Sequence, residues 1–159
     1  MDFRLEHPTE KDLPLILGLI KQLAEYEQLS HAVVATEKIL RETLFERRAA
    51  EVVIGYSGDE PAGFAVFFRT FSTFLGVPGM YLEDLFVIPK FRRQGLGRQL
   101  LVLLARIADE RKYGRIEWSV LNWNELAIGF YKGLGATPMD EWTVFRLTGD
   151  SLRKLADRR

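Results

Sequence analysis

The stretch Glu83–Leu101, EDLFVIPKFRRQGLGRQLL, decides how this 159-residue chain folds. It opens as an apolar run carrying two adjacent acids, Glu83 and Asp84, and breaks at Pro89. Arginines and two glycines, Gly95 and Gly97, then lead into leucines at helical spacing. The apolar run predicts a strand over 80–88 that proline ends. Leu96, Leu100, Leu103, Leu104 and Ile107 share one helical stripe, which predicts a helix over 92–114 closed by Gly114. A basic glycine turn therefore joins a strand to a helix. N–H groups at a helix start have no partner inside the helix and lie at the positive end of its dipole. Glycine removes the Cβ that would hold an anion away from them. Arg92, Arg93 and Arg98 add positive charge, and the combination predicts a phosphate or pyrophosphate site. Leu100 stands where a dinucleotide fingerprint needs its third glycine, and no Gly-Lys-Ser/Thr follows for a P-loop. The remaining Arg-x-x-Gly-x-Gly pattern, taken alone, also fits an ordinary turn.

On either side of this unit the periodicity predicts further elements. A short strand is expected over 2–8 and a helix over 9–28, with Leu13, Ile16, Leu17, Ile20, Leu23 and Ala24 inward and Thr9 or Asp12 as cap. A second helix is expected over 36–45, capped by Thr36. Strands over 50–57 and 62–74 should form a hairpin about the SGDEP turn, and GVPG (76–79) should turn the chain again. Beyond the central helix, a strand is expected over 115–123, a helix over 124–136 ended by Gly135, a strand over 142–149 and a last helix capped by Asp150 or Ser151. The strand–helix–strand unit from Met80 to Leu121 should be a right-handed parallel crossover. The fold class that follows is α/β: a mixed sheet, most strands paired as hairpins, with a central parallel β-α-β unit and helices on both faces. One domain, 1–159, is expected.

Composition narrows the function. The chain has 22 acidic and 22 basic residues, so no global field recruits nucleic acid or an anionic membrane. It has no cysteine, which excludes disulfides, thiolate metal sites and a cysteine nucleophile. His7 and His31 lack ligand spacing, so no metal is expected. The charged opening MDFRLEHPTEKD and the lack of any apolar run near ~20 residues make a cytoplasmic protein the expectation, with no membrane partner.

A second stretch, NWNELAIGFYKGLGA (122–136), puts Leu126, Phe130 and Leu134 on one helical stripe, with Tyr131 about 100° away. The Tyr131 hydroxyl then faces either a cleft or a backbone partner. Two motifs in this order, RRQGLG after a strand and N-x-x-A-x-x-F-Y-x-x-x-G-A downstream, resemble the GNAT superfamily of acetyl-CoA-dependent N-acetyltransferases. The segments LIKQLAEYEQL, YLEDLFVIPKFRRQGLG, NWNELAIGFYKGLGA and EWTVFRL more narrowly resemble the diamine (spermidine/spermine) N-acetyltransferases.

The resemblance implies acetyl-CoA as cofactor, its pyrophosphate held by the turn of Arg92, Arg93, Gln94, Gly95, Leu96, Gly97 and Arg98. It implies main-chain bonds from Leu85, Phe86 and Val87 to the pantetheine arm, with Asn124 and Tyr131 facing the cofactor, and Tyr131 as the acid that protonates the departing thiolate. Adjacent strand residues point to opposite faces, so one of Glu83 and Asp84 faces a given cleft unless a bulge intervenes. Glu83 is the expected base, directly or through water, and Asp84 either a second cation contact or a structural acceptor at a bulge. Tyr26, Glu27 and Trp142 match substrate-side positions. Glu27 can pair with a distal ammonium or be a solvated acid, and Trp142 can cover that ammonium or pack on a sheet. Asp140 and Glu141 add acids nearby, but neither SHAVVAT nor TPMDEW clearly reproduces polyamine-specific acids. The expected substrate is a small primary amine: a polyamine, a diamine, or a thialysine- or lysine-like side chain. Transfer should be direct, since no cysteine can carry the acetyl group. The alternatives are a protein N-terminal or lysine acetyltransferase, and a CoA-binding sensor without turnover. A homodimer is also implied.

Overall fold

In the computed structural model, which describes residues 2–158, the strands are β1 (Arg4–Glu6), β2 (Glu51–Ser57), β3 (Glu60–Ser72), β4 (Val77–Val87) and β5 (Ile116–Trp118). The helices are α1 (Leu13–Tyr26), α2 (Glu37–Leu40), α3 (Leu96–Glu110), α4 (Glu125–Gly133) and α5 (Gly149–Ala156). The chain divides into two compact units, residues 1–119 and 120–159.

The first unit holds one sheet in the order β1-β2-β3-β4-β5. The first three pairings are antiparallel and β4–β5 is parallel, so the β4-α3-β5 crossover forms as expected. Both faces are covered, and strand alternation shows how. Val52 and Ile54 of β2, Phe64 of β3 and Phe86 of β4 join Leu13, Ile16 and Leu19 of α1 and Leu40 of α2 in one buried cluster. Gly55 and Gly63, one step out of phase and paired across the strands, face the other way. A Cβ at either would collide with Leu96, the first residue of α3. The two glycines thus make a hollow that lets the start of α3 settle directly onto the sheet. The inward stripe of α3 is Leu96, Leu100, Leu101, Leu104 and Ala108. Leu103 and Ile107, expected in that stripe, are half-buried.

Several sequence expectations shift. α3 begins at Leu96 rather than Arg92, because the basic turn forms an extended and left-handed connection first. GVPG is not a turn. Val77–Gly79 already belong to β4, and the reversal falls at 73–76, where Ser72 Oγ accepts from Leu75 N at 3.1 Å. Thr36 caps α2 through Oγ1, accepting from Ile39 N, but the expected 36–45 helix widens into a π-helical turn over Arg41–Glu46. The strand expected over 115–123 is only three residues long.

In the second unit, α4 is capped by Asn124, whose Oδ1 accepts from Ala127 N at 3.2 Å, and is followed by left-handed Gly135. Thr148, not Asp150 or Ser151, is the cap of α5. Residues 142–148 form no strand: their apolar-rich stretch finds no ladder, and without a paired neighbour extended chain is not sheet.

Candidate active site

The site is assembled where β4 changes register. Val66 of β3 pairs with Asp84, but the next residue, Phe67, pairs with Leu82. Glu83 is therefore the extra residue of a β-bulge, which re-aims the side chains on either side. Asp84 shares the face of Val66 and Phe86, toward α1, whereas Leu82 shares that of Phe67. The bulge also brings Tyr81 to the α1 face, where its ring lies 5.3 Å from Phe68. Its hydroxyl shares a 2.7 Å hydrogen bond with Ser119.

Two further carboxylates, Glu83 and Glu27, lie near enough to Asp84 for their charges to act on it. α1 ends at Tyr26, with Gln28 in the left-handed region, so Glu27 sits at the negative end of the helix dipole. Burial pushes the Glu27 carboxyl up. Asp84 is half-buried, and burial, reinforced by the charges of Glu83 and Glu27, pushes its carboxyl up to about 7. Glu83 is exposed. Desolvated like charges of this kind favour a cation among them or protons on them.

Beyond the bulge, no strand among the described residues pairs with the outer edge of β4. Its ladder with β5 runs only from Met80↔Ile116 to Leu82↔Trp118. Ile88 N donates to Ala62 O at 2.8 Å. Main-chain groups alternate in direction along an antiparallel strand, so Phe86 also faces β3 while Leu85 and Val87 face the open side. The Phe86 carbonyl bears this out, lying 2.5 Å from where a Gly63 Cβ would stand. Of the three residues expected to meet the pantetheine, Leu85 and Val87 present outward groups and Phe86 presents its ring to the core.

At the end of that edge lies the basic turn. Arg93 and Gly95 are both left-handed, with φ of 61° and 94°. For arginine that conformation is strained, a feature that concentrates at functional turns. A Cβ at Gly95 would meet nothing closer than Gln99 Nε2 at 3.9 Å. The mouth of the turn is thus open toward the start of α3. Gln94 donates from Nε2 to Lys90 O at 3.3 Å while its buried Oε1 has no partner. An open nest of main-chain donors at a helix start fits a diphosphate. Arg92 is turned the other way, with Nε donating to Val87 O at 3.0 Å.

In the second unit Tyr131 lies on α4 with its ring 5.6 Å from Phe130. Trp142 is exposed and its N–H closes a turn onto Met139 O at 3.2 Å. Asn124 is first of all the α4 cap. Among the described residues no group of three or more His, Cys, Asp or Glu is placed to hold a metal, and no helix is long and apolar enough to cross a membrane.

The sequence left two features of the site unread, the Tyr81–Ser119 pair and the docking hollow, and raised the bulge only as an alternative. The hollow had a signal, because Gly55 and Gly63 are glycines inside strand patterns, and such glycines mark close approach. The adjacent acids left a bulge open as an alternative, but its register depends on β3 and could not be read.

A parallel β-α-β unit with a nest at the helix start, an unpaired strand edge and partly buried acids beside it has the makings of an acyl-transfer site. The chain belongs to the acetyltransferase (GNAT) family, which it matches over residues 20–136, and it is an acetyltransferase. It is 35% identical over 159 residues to a thialysine N-epsilon-acetyltransferase of Caenorhabditis elegans, covering 98% of each chain. It is 32% identical to an L-ornithine N5-acetyltransferase of Arabidopsis thaliana, covering 96% of this chain and 87% of that one. A spermidine/spermine N(1)-acetyltransferase-like protein of Homo sapiens is 31% identical across 97% of this chain and 24% of its own length. Among solved structures, an integron cassette protein from the mobile metagenome of V. cholerae superposes with a TM-score of 0.82 at 29% identity, covering 99% of both chains.

Proposed function

We propose that this chain moves the acetyl group of acetyl-CoA to a primary amine of a small cationic substrate, by direct transfer in a ternary complex. The observation that carries the substrate class is the proximity of Glu27 and Glu83 to Asp84, two of the three desolvated, beside an unpaired strand edge. Acetyl-CoA, when bound, supplies the thioester acetyl group. The amides of residues 93–98 hold its diphosphate, and the outward main-chain groups of Leu85 and Val87 align its arm as an added strand.

An aliphatic amine with a pKa near ~10 arrives protonated and must lose that proton before attack. The sequence assigns the base role to Glu83 and a cation contact to Asp84. Their surroundings favour Asp84 as the acceptor nearest the bulge, with Glu83 taking the proton onward to water. A carboxyl near neutrality both accepts and releases a proton at working pH. Tyr131 gives its proton to the departing thiolate, and Glu27, with Trp142, contacts a distal ammonium. The family match crosses the boundary between the two units, which supports one acetyltransferase domain over 1–159. The homodimer and the cytoplasmic setting rest on the resemblance and the composition.

The test is thiol release from acetyl-CoA with thialysine, ornithine, lysine, spermidine, putrescine and N-terminal peptides, run beside Tyr131→Phe. Turnover on a small amine, lowered ~10²–10⁴-fold in the variant, is expected. Faster acetylation of peptides than of any free amine favours a protein substrate, and binding without turnover favours a sensor. Burst release of one thiol before amine is added contradicts direct transfer.

A further inference from the structure

Arg92 lies in the phosphate turn by sequence, yet its guanidinium is committed elsewhere. Nε donates to the carbonyl of Val87 at 3.0 Å. The guanidinium lies over the Tyr26 ring, its carbon 4.5 Å from the ring centroid and 5.7 Å from that of Phe86. Tyr26 and Phe86 are themselves 6.3 Å apart. Arg92 makes no ion pair among the described residues. Its contacts join three places. The Val87 carbonyl faces the open side of β4, where the cofactor arm is proposed to align. Tyr26 is the last residue of α1, adjacent to Glu27 at the amine side. Phe86 is the core residue between them.

We infer that Arg92 is a positioning residue that locks the end of α1, and with it Tyr26 and Glu27, onto the cofactor edge of β4. Its planar fork serves two contacts at once, the Nε–H bond to Val87 and the cation–π contact with Tyr26. An ammonium in its place keeps the charge but not the plane. A cation–π contact that is partly desolvated is also stronger than one in water. The carbonyl it occupies sets where a pseudo-strand can end, so loosening Arg92 frees both the amine pocket and the tip of the thioester slot. The inference rests on the acetyltransferase reading above and adds to it a link between its two substrates.

The test uses Arg92→Lys and Tyr26→Leu, singly and together, in the full chain. Acetyl-CoA affinity is read by calorimetry, melting temperature by thermal unfolding, and kcat and KM for the best amine by thiol release. Arg92→Lys and Tyr26→Leu are each expected to cut amine kcat/KM by about 10–100-fold, as misplacement of a bound substrate does, while acetyl-CoA Kd stays within about threefold. The double variant should lose little more than either single one, because the two residues act as one unit. An Arg92→Lys chain that binds acetyl-CoA tenfold or more weakly with amine KM unchanged makes Arg92 a plain phosphate ligand and overturns the inference. Fully additive losses do the same. Should Arg92→Lys fail to fold, Tyr26→Leu, which leaves the arginine in place, carries the same test alone: an unchanged amine KM and kcat overturns it. A parent chain that acetylates no amine removes the underlying acetyltransferase reading instead, and is seen before any variant is made.

Discussion

At the residue scale, Asp84, the proposed acceptor, shows how desolvating an acid is set against stability. Its folded carboxyl lies at about 7 against an ordinary 3.8, so between those values the native state binds more protons than the unfolded one. Stability from this group is therefore present at low pH and lost as pH rises through about 7, at up to ~1.4 kcal/mol per pH unit. Asp84→Asn, which cannot ionise, should flatten that slope. Urea unfolding between pH 5 and pH 8 should find the variant gaining on the parent as pH rises, while its acetyl transfer falls. A parent and variant with parallel pH profiles would contradict the burial of this carboxyl. The pair Glu83–Asp84 was legible in the sequence as candidate site residues. Which of the two is desolvated was not, because strand alternation alone cannot say that Glu83 is the unpaired residue opposite Val66 and Phe67. Arg92 is a second case. Its place beside Gly95 reads as a phosphate contact, and only the approach of Tyr26 from α1 turns it inward.

At the element scale, the strand–turn–helix unit was readable from Pro89, Gly95 and the leucine spacing, and β4 and α3 form within a few residues of the expected bounds. Residues 142–148 were not, since an apolar-rich stretch permits a strand but pairing makes it one. What positions the anion nest is the glycine hollow under Leu96. A Cβ at Gly63 would lie 2.5 Å from the Phe86 carbonyl and 3.0 Å from Leu96 Cδ2. The first neighbour is backbone, which cannot rotate away. Gly63→Ala should cost ~1–3 kcal/mol, as overpacking of a close-packed site does. It should also weaken acetyl-CoA binding, by lifting the start of α3 away from β4. Calorimetry on the folded variant separates the two effects. Unchanged stability and affinity would show that the hollow has slack.

At the scale of the whole molecule, the fold gathers two kinds of charge at one strand. The main-chain donors proposed to bind an anion lie at its end and carboxylates at its bulge, while the chain overall is neutral. Acetyl-CoA at a hundredfold its Kd should stabilise the native state by about 2.7 kcal/mol, which for a chain of this length raises the melting temperature by roughly 5–10 °C. Light scattering on the same samples should give twice the 18.3 kDa chain mass for the proposed homodimer. An unmoved melting temperature counts against the nest, and a monomeric mass against the dimer. The sequence by itself determined the order of the main elements as far as α4, the glycine turn and the residue types of the candidate site, because proline, glycine and apolar period act through the nearest few residues of the chain. Only the tertiary structure decided which acid is buried, where β4 is left open and which way Arg92 points. Each of those depends on a neighbour distant in sequence — β3 for the bulge, the short β5 for the edge, α1 for the arginine — and register and burial are properties of pairs.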